Sequence, residues 1–393
     1  MNKVQQVTGT KQKKPGVGSL LLIINFLVIV TIFGCKKQDT AFQKESTSQD
    51  LTSADVSNIK ADIIVQAGTS IQAAIDAAQP GNVIKIEAGI YTEALHIEKA
   101  NIKIIGLPTA TSEVIIQNPG DEENGITVTD AGDGFLLRNV TVQNFEENGV
   151  YLDSVDGFSL IHIATISNGE YGLFPLHCSN GTISHCSATG HSDTGIYVGQ
   201  SNNVTMESNT AFGNVIGMEA ENSDDIEVTH NQSYDNCTGI MVDLLPQKDI
   251  KTSNNVHVSG NHVFNNNHIN FGEEGSLESV VPVGIGILIL GTDNTQVDNN
   301  NVTDNNFTGI VVFSTLVLGE LAGLPPEYFA DIEPNPDGAY IFKNQAKRNG
   351  SAPPPLPIEL PGVDLLWDGA GINNCWANNI FKTSSPDPLP TCN

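Results

Sequence analysis

"NNVTMESNTAFGNVIGMEAENSDDIEVTHNQSYDNCTGIMVD", residues 202–243, holds two copies of one pattern at an offset of 22 residues. Each opens on a polar pair and alternates apolar with polar residues (Val204 and Met206, then Ile226 and Val228). Each then places asparagines five residues apart (Asn209 and Asn214, then Asn231 and Asn236) and closes on glycine plus an apolar residue (Gly217-Met218, then Gly239-Ile240). A period of two is the signature of a strand with one buried face.

The pattern extends in both directions. Glycine followed by an apolar residue recurs at Gly125, Gly149, Gly172, Gly195, Gly217, Gly239, Gly286 and Gly309, at intervals of 24, 23, 23, 22, 22, 47 and 23. The long interval reads as two turns plus an insertion. The asparagine pairs continue as Asn261 with Asn266 and Asn301 with Asn306. A chain that repeats short strands every ~22–24 residues buries its apolar faces by coiling, each strand pairing with its equivalent one turn on, about 4.8 Å away. Stacked amides then satisfy the corners. At the N-terminal end, Ser70 is placed to cap a short helix with Ile71, Ala74, Ile75 and Ala78 on one face, stopped by Pro80-Gly81; such a helix would plug the open core.

The repeat resembles the right-handed parallel β-helix superfamily of pectate and alginate lyases, mannuronan epimerases and the accessory protein of nitrous oxide reductase. The resemblance covers roughly Val65 to Phe381. It implies an all-β, single-stranded right-handed parallel β-helix with a short N-terminal capping helix, and it leaves function open because these relatives do different chemistry on one scaffold. The mannuronan epimerases carry a Tyr-Gly-x-Asp-Pro-His pattern. In "YGLFPLHC", residues 171–178, Tyr171, Gly172 and Pro175 match, whereas Phe174 stands in the aspartate slot and Leu176 in the histidine slot. His177 is one residue late, and strand alternation predicts that it turns to the opposite face. Phenylalanine moves no protons, so the stretch reads as a structural rung.

The residues two after each marker glycine form an expected outward column: Thr127, Tyr151, Phe174, Tyr197, Glu219, Met241, Leu288 and Val311. Asp153, Glu221 and Asp243 follow two positions later. Glu219, Glu221 and Asp243 on adjacent coils are candidate catalytic groups and candidate Ca²⁺ ligands, since carboxylates this close raise one another's pKa or share a cation. Tyr151 and Tyr197 are expected to be exposed and to stack on sugar rings, and His191 and Asp193 to meet the substrate. Insertions near 244–252, 272–283 and 315–362 reach this column, the second carrying Glu273, Glu274 and Glu278, and are expected to wall a groove. Trp367 and Trp376 are expected to close the C-terminal core.

Residues 1–34 read as an export signal: Lys3, Lys11, Lys13 and Lys14 precede the apolar run Leu20–Gly34, and Ile32-Phe33-Gly34-Cys35 resembles a bacterial lipobox, which implies lipidation at Cys35. Residues 35–60 read as a polar tether and 61–393 as the coil domain. The expected location is the bacterial cell envelope, with the membrane engaged only through the lipid. Cys375 and Cys392 can bridge in an oxidising compartment, while Cys178, Cys186 and Cys237 fall inside repeats as small buried residues. The formal charge of −27, with 45 acidic against 18 basic residues, argues against nucleic acid as a partner, and a polyuronate would need a bridging cation. The reading favours a monomer that binds, and cleaves or epimerises, an extended uronate polysaccharide. The alternative is a non-catalytic scaffold that docks a partner protein through 315–362.

Overall fold

A computed structural model describes residues 59–392. The export segment, Cys35 and the tether up to residue 58 lie outside the described residues. Short strands stack in parallel along the whole of the described chain. One sheet of eleven strands contains, in order, Leu95–Ile97, Asn124–Val128, Asn148–Asp153, Tyr171–Leu176, Thr194–Gly199, Ile216–Glu221, Thr238–Asp243, Ile285–Leu290, Thr308–Phe313, Val363–Trp367 and Ser384–Ser385. The remaining strands form a twenty-stranded parallel network, its two columns joined where Phe135–Gln143 and Asp156–Ile166 run through the corner.

The register follows the marker glycines. Leu173 pairs with Ile196, Ile196 with Met218, Met218 with Ile240, Ile240 with Ile287 and Ile287 with Ile310. All are essentially inaccessible and line one continuous core. Each such side chain contributes on the order of 1.5–3 kcal/mol by leaving water. The glycines are required because the coils approach closely: a Cβ on Gly217 would lie 2.5 Å from the carbonyl oxygen of Gly239.

The corners are held by amide ladders. Asn209, Asn231, Asn261, Asn300, Asn344 and Asn379 form one, each backbone N–H donating to the Oδ1 of the next. Asn214, Asn236, Asn266, Asn305 and Asn349 form the second, which ends on Asp364. The expected rung Asn301/Asn306 is thus corrected to Asn300/Asn305, because a run of adjacent asparagines gives the same sequence signal in either phase. The Cys178 N–H donates to Ser201 Oγ and that of Ser201 to Ser223 Oγ, a third and shorter ladder. Cys178, Cys186 and Cys237 are buried.

The helix Ile71–Ala77 plugs the N-terminal end with Ile71 and Ile75, and Ser70 Oγ accepts from the Ala73 N–H. The next coil completes both of its ends. Glu93 accepts from the N–H groups of Ile71 and Gln72, and Lys99 Nζ donates to the carbonyls of Ile75, Asp76 and Ala78. A carboxylate therefore sits at the positive end of the helix dipole and an ammonium at the negative end. At the other end Trp376 is buried in the core with Trp367 against it, and Cys375 is bonded to Cys392 with Cα atoms 4.9 Å apart.

The segments that leave the coil fold back on its outer face. Leu245, Val281, Leu318, Leu356 and Leu360 cover Met241, Leu288, Leu290, Val311 and Phe313 in a second apolar cluster. The excursion expected over 315–362 is interrupted by the strands Tyr340–Phe342 and Gln345–Lys347, which continue the twenty-stranded sheet.

Candidate active site and cation centre

The coil register brings the predicted acids together. Tyr197 lies beside Glu219, and Gly199 beside Glu221, which lies beside Asp243. All three carboxylates point out of the coil, away from the core residues Ala220 and Val242, and each offers an oxygen within 4.8 Å of the others. They do not face an open trough. Glu219, Glu221 and Asp243 are 4%, 5% and 0% exposed. The segments expected to wall a groove roof it instead, because the outward column turns apolar at Met241, Leu288 and Val311 and needs covering.

The expected sugar contacts divide. Tyr197 is buried, its hydroxyl donating to Glu221 Oε1 at 2.9 Å, so it is not a free stacking platform. Tyr151 remains half-buried and stacks on Phe174, which stacks on Tyr171 with centroids 4.2 Å apart. His191 is fully buried away from the acids. It occupies the rung of the second ladder between Asn168 and Asn214, its backbone N–H donating to Asn214 and its Nδ1–H to the Asn168 carbonyl. Burial pushes its pKa down to about 4, so the ring is neutral. Asp193 does reach the site. His177 departs from the alternation rule: a left-handed φ of 54° turns its ring toward Asp153 on the outer face, Nδ1 to Oδ1 3.3 Å.

Three partners are not among the site residues predicted from sequence: Thr194, Lys248, and Tyr171, which matches the epimerase pattern but reads as part of a structural rung and in fact lines an acidic cavity. Thr194 Oγ1 lies 2.5 Å from Glu219 Oε2 and 3.0 Å from Asp193 Oδ1, and its single proton serves only one of them well. Tyr171 lines a cavity of about 110 Å³ with Glu170, Asp193, Glu273 and Glu278, the acidic opening beside the buried cluster. Lys248 Nζ bonds Glu221 Oε1 at 2.9 Å. The signal for Lys248 was present, one lysine five residues after Asp243, but contact required the loop to fold back.

The electrostatics are lopsided. Burial, then Asp243, Asp193 and Glu221, pushes the Glu219 carboxyl well above its usual range. Burial followed by the charge of Glu221 does the same to Asp243, and burial followed by Glu278 to Asp193. Burial opposes the charge on Lys248, but Glu221, Asp243 and Glu219 outweigh it and hold the ammonium protonated. Among the described residues, Glu219, Glu221 and Asp243 thus share the ammonium of Lys248, and both Asp243 oxygens are buried with no hydrogen-bond partner. An orphaned carboxylate of this kind costs several kcal/mol unless it is neutralised or coordinates an ion.

The donor set fits Ca²⁺. Two Ca–O bonds span roughly 4.6–5.2 Å end to end and two Mg–O bonds only about 4.0–4.2 Å. Oxygens lying within 4.8 Å of one another are close enough to converge on one hard cation, and an all-carboxylate donor set is of the kind Ca²⁺ takes.

Residues 124–280 match the family model for a right handed beta helix region. No curated protein sequence matches the chain. Among solved structures, the A-module of the Azotobacter vinelandii mannuronan C-5 epimerase AlgE4 superposes with a TM-score of 0.59 at 16% identity, covering 81% of this chain and 95% of that module. The A-module of the AlgE6 mannuronan C-5 epimerase from the same organism gives 0.55 at 18%, covering 79% of each chain. The family match over 124–280, the parallel strand order and the superposition on these modules together show that the described residues fold as a right-handed parallel β-helix.

Proposed function

We propose that the protein binds and modifies an extended uronate-containing polysaccharide, held in the bacterial cell envelope by a lipid on Cys35, and that Glu219, Glu221 and Asp243 hold Ca²⁺. The observation that carries the cation is the Asp243 carboxylate, fully buried beside two others with neither oxygen partnered. The polymer is supported by the likeness to two modules named as mannuronan epimerases, and by the half-buried Tyr151–Phe174–Tyr171 stack that leads to the acidic cavity.

Asp193 and Tyr171, on the cavity wall, are among the groups a sugar entering it would touch; burial raises both pKa values, which leaves the Tyr171 hydroxyl a donor at neutral pH. Bound Ca²⁺ would offset the negative field that otherwise repels a polyanion. The chemistry supported best is proton transfer beside a uronate carboxyl, as in a lyase or a C5-epimerase. Docking of a partner through 315–362 gains nothing from the structure, since Leu318, Leu356 and Leu360 are spent on the protein's own outer face.

Calorimetric titration of the full chain with Ca²⁺ is expected to show one site that Asp243→Asn abolishes. Unchanged binding in that variant would remove the assignment. Mannuronan, alginate and polygalacturonate incubated with the Ca²⁺-loaded protein should give either the ultraviolet absorbance of an unsaturated product or an NMR-detected change of C5 configuration. Absence of both across the set would leave binding without catalysis.

A further inference from the structure

The loop that follows Asp243 brings its own cation to the acid cluster. Lys248 Nζ bonds Glu221 alone and leaves Asp243 unserved. It reaches the site from outside, its side chain 35% exposed against 6% for that of Glu221. The backbone of the loop does not depend on this contact. Asn222 Nδ2 donates to the carbonyls of Leu245 and Ile250, Asn222 Oδ1 accepts from the Leu245 N–H, and Gln200 Oε1 accepts from the N–H groups of Asp249 and Ile250. A lysine on a flexible four-carbon stem can therefore swing away while the loop stays in place.

Two cations cannot comfortably share Glu221. An ion coordinated by Glu219, Glu221 and Asp243 would sit a few ångströms from an ammonium on the same carboxylate, in surroundings where charge is poorly screened. The loop also borders the aromatic strip: Asp249 lies 3.8 Å from His177, which pairs with Asp153 two residues after Tyr151.

We propose that Lys248 is a displaceable internal counter-ion: a divalent cation entering the acid cluster expels its ammonium to the edge of the aromatic strip, where it becomes the anchor for a uronate carboxylate. The proposal rests on the cation reading above and adds a coupling to it. Cation and polyuronate tighten each other, and by linkage the factor is the same in both directions. Lys248 thereby keeps the cluster partly neutral before the metal arrives and supplies positive charge to the polymer afterwards.

Amine acetylation of the full-length wild-type protein, read by mass spectrometry with and without Ca²⁺, follows the side chain directly. Lys248 is expected to react about tenfold faster with Ca²⁺ bound, while exposed Lys343 keeps its rate. Lys248→Gln is expected to bind Ca²⁺ about tenfold more tightly and to lose the Ca²⁺-dependent gain in affinity for mannuronate oligomers. Calorimetric Ca²⁺ binding with no change in Lys248 labelling overturns the displacement and spares the cation reading. Coupling that persists in Lys248→Gln overturns the anchoring role, and absence of Ca²⁺ binding to either protein overturns both readings.

Discussion

His191 shows how much one rung can mean. It stands at an asparagine position in a ladder, and its neutral ring finds different partners there, donating to the Asn168 carbonyl through Nδ1–H and placing Nε2 3.2 Å from Thr165 Oγ1. Since its folded pKa is near 4 against an unfolded value of 6.5, the folded state binds fewer protons between those limits. Its stability contribution is therefore whole above about pH 6.5 and lost as pH falls toward 4, by roughly 3 kcal/mol. His191→Asn should keep the rung, donate to the Thr165 carbonyl as Asn214 does to Ala188, and flatten that acid limb in denaturant titrations. His191→Ala should cost about 2 kcal/mol at neutral pH. An acid limb unchanged in His191→Asn would show that the loss arises elsewhere. From sequence His191 looked like a site residue, because a histidine beside Asp193 carries no mark of which side of a corner it faces.

At the scale of elements, parallel strands are tied across the outer face of the twenty-stranded sheet by charge as well as by backbone. His257 donates from Nδ1 to Glu227 Oε2 at 2.9 Å and from Nε2 to Asp298 Oδ1 at 2.5 Å, one ring clamping three successive coils. Asp298 first and Glu227 second raise its pKa to about 9. A group whose pKa rises on folding stabilises fully below its unfolded value and stops doing so as pH rises through the folded one. Stability should therefore decline between about pH 6.5 and pH 9. His257→Gln should remove this slope in urea titrations; an identical slope in the variant would refute the clamp. The strands themselves were legible, because alternation and glycine spacing recur in every coil. The clamp was not, since Glu227 and His257 are separated by an insertion that hides their common register.

At the scale of the whole molecule, the coil is a ruler and the excursions decide what it measures. Stacking at one coil per rung put Glu219, Glu221 and Asp243 together as the repeat required. The roof made by 244–252, 267–284 and the excursions after Phe313 and Asn349 converted an expected open trough into a buried, under-neutralised cluster with one lysine. Anchoring belongs to this scale too, because a lipid on Cys35 would hold a strongly acidic body at the membrane by a polar tether. Cys35→Ser should release the protein from the membrane fraction and leave its N-terminus unacylated by mass spectrometry; retention in that fraction would point to another anchor. The sequence alone determined the coil, its plug and the meeting of the three acids, because those follow from a period that every turn repeats and that local physics enforces. Tertiary structure alone decided which faces stay open, which cation serves the acids and that His177 turns outward. Those outcomes depend on non-repeating segments whose path is set by the apolar surface they must cover, and no periodicity encodes it.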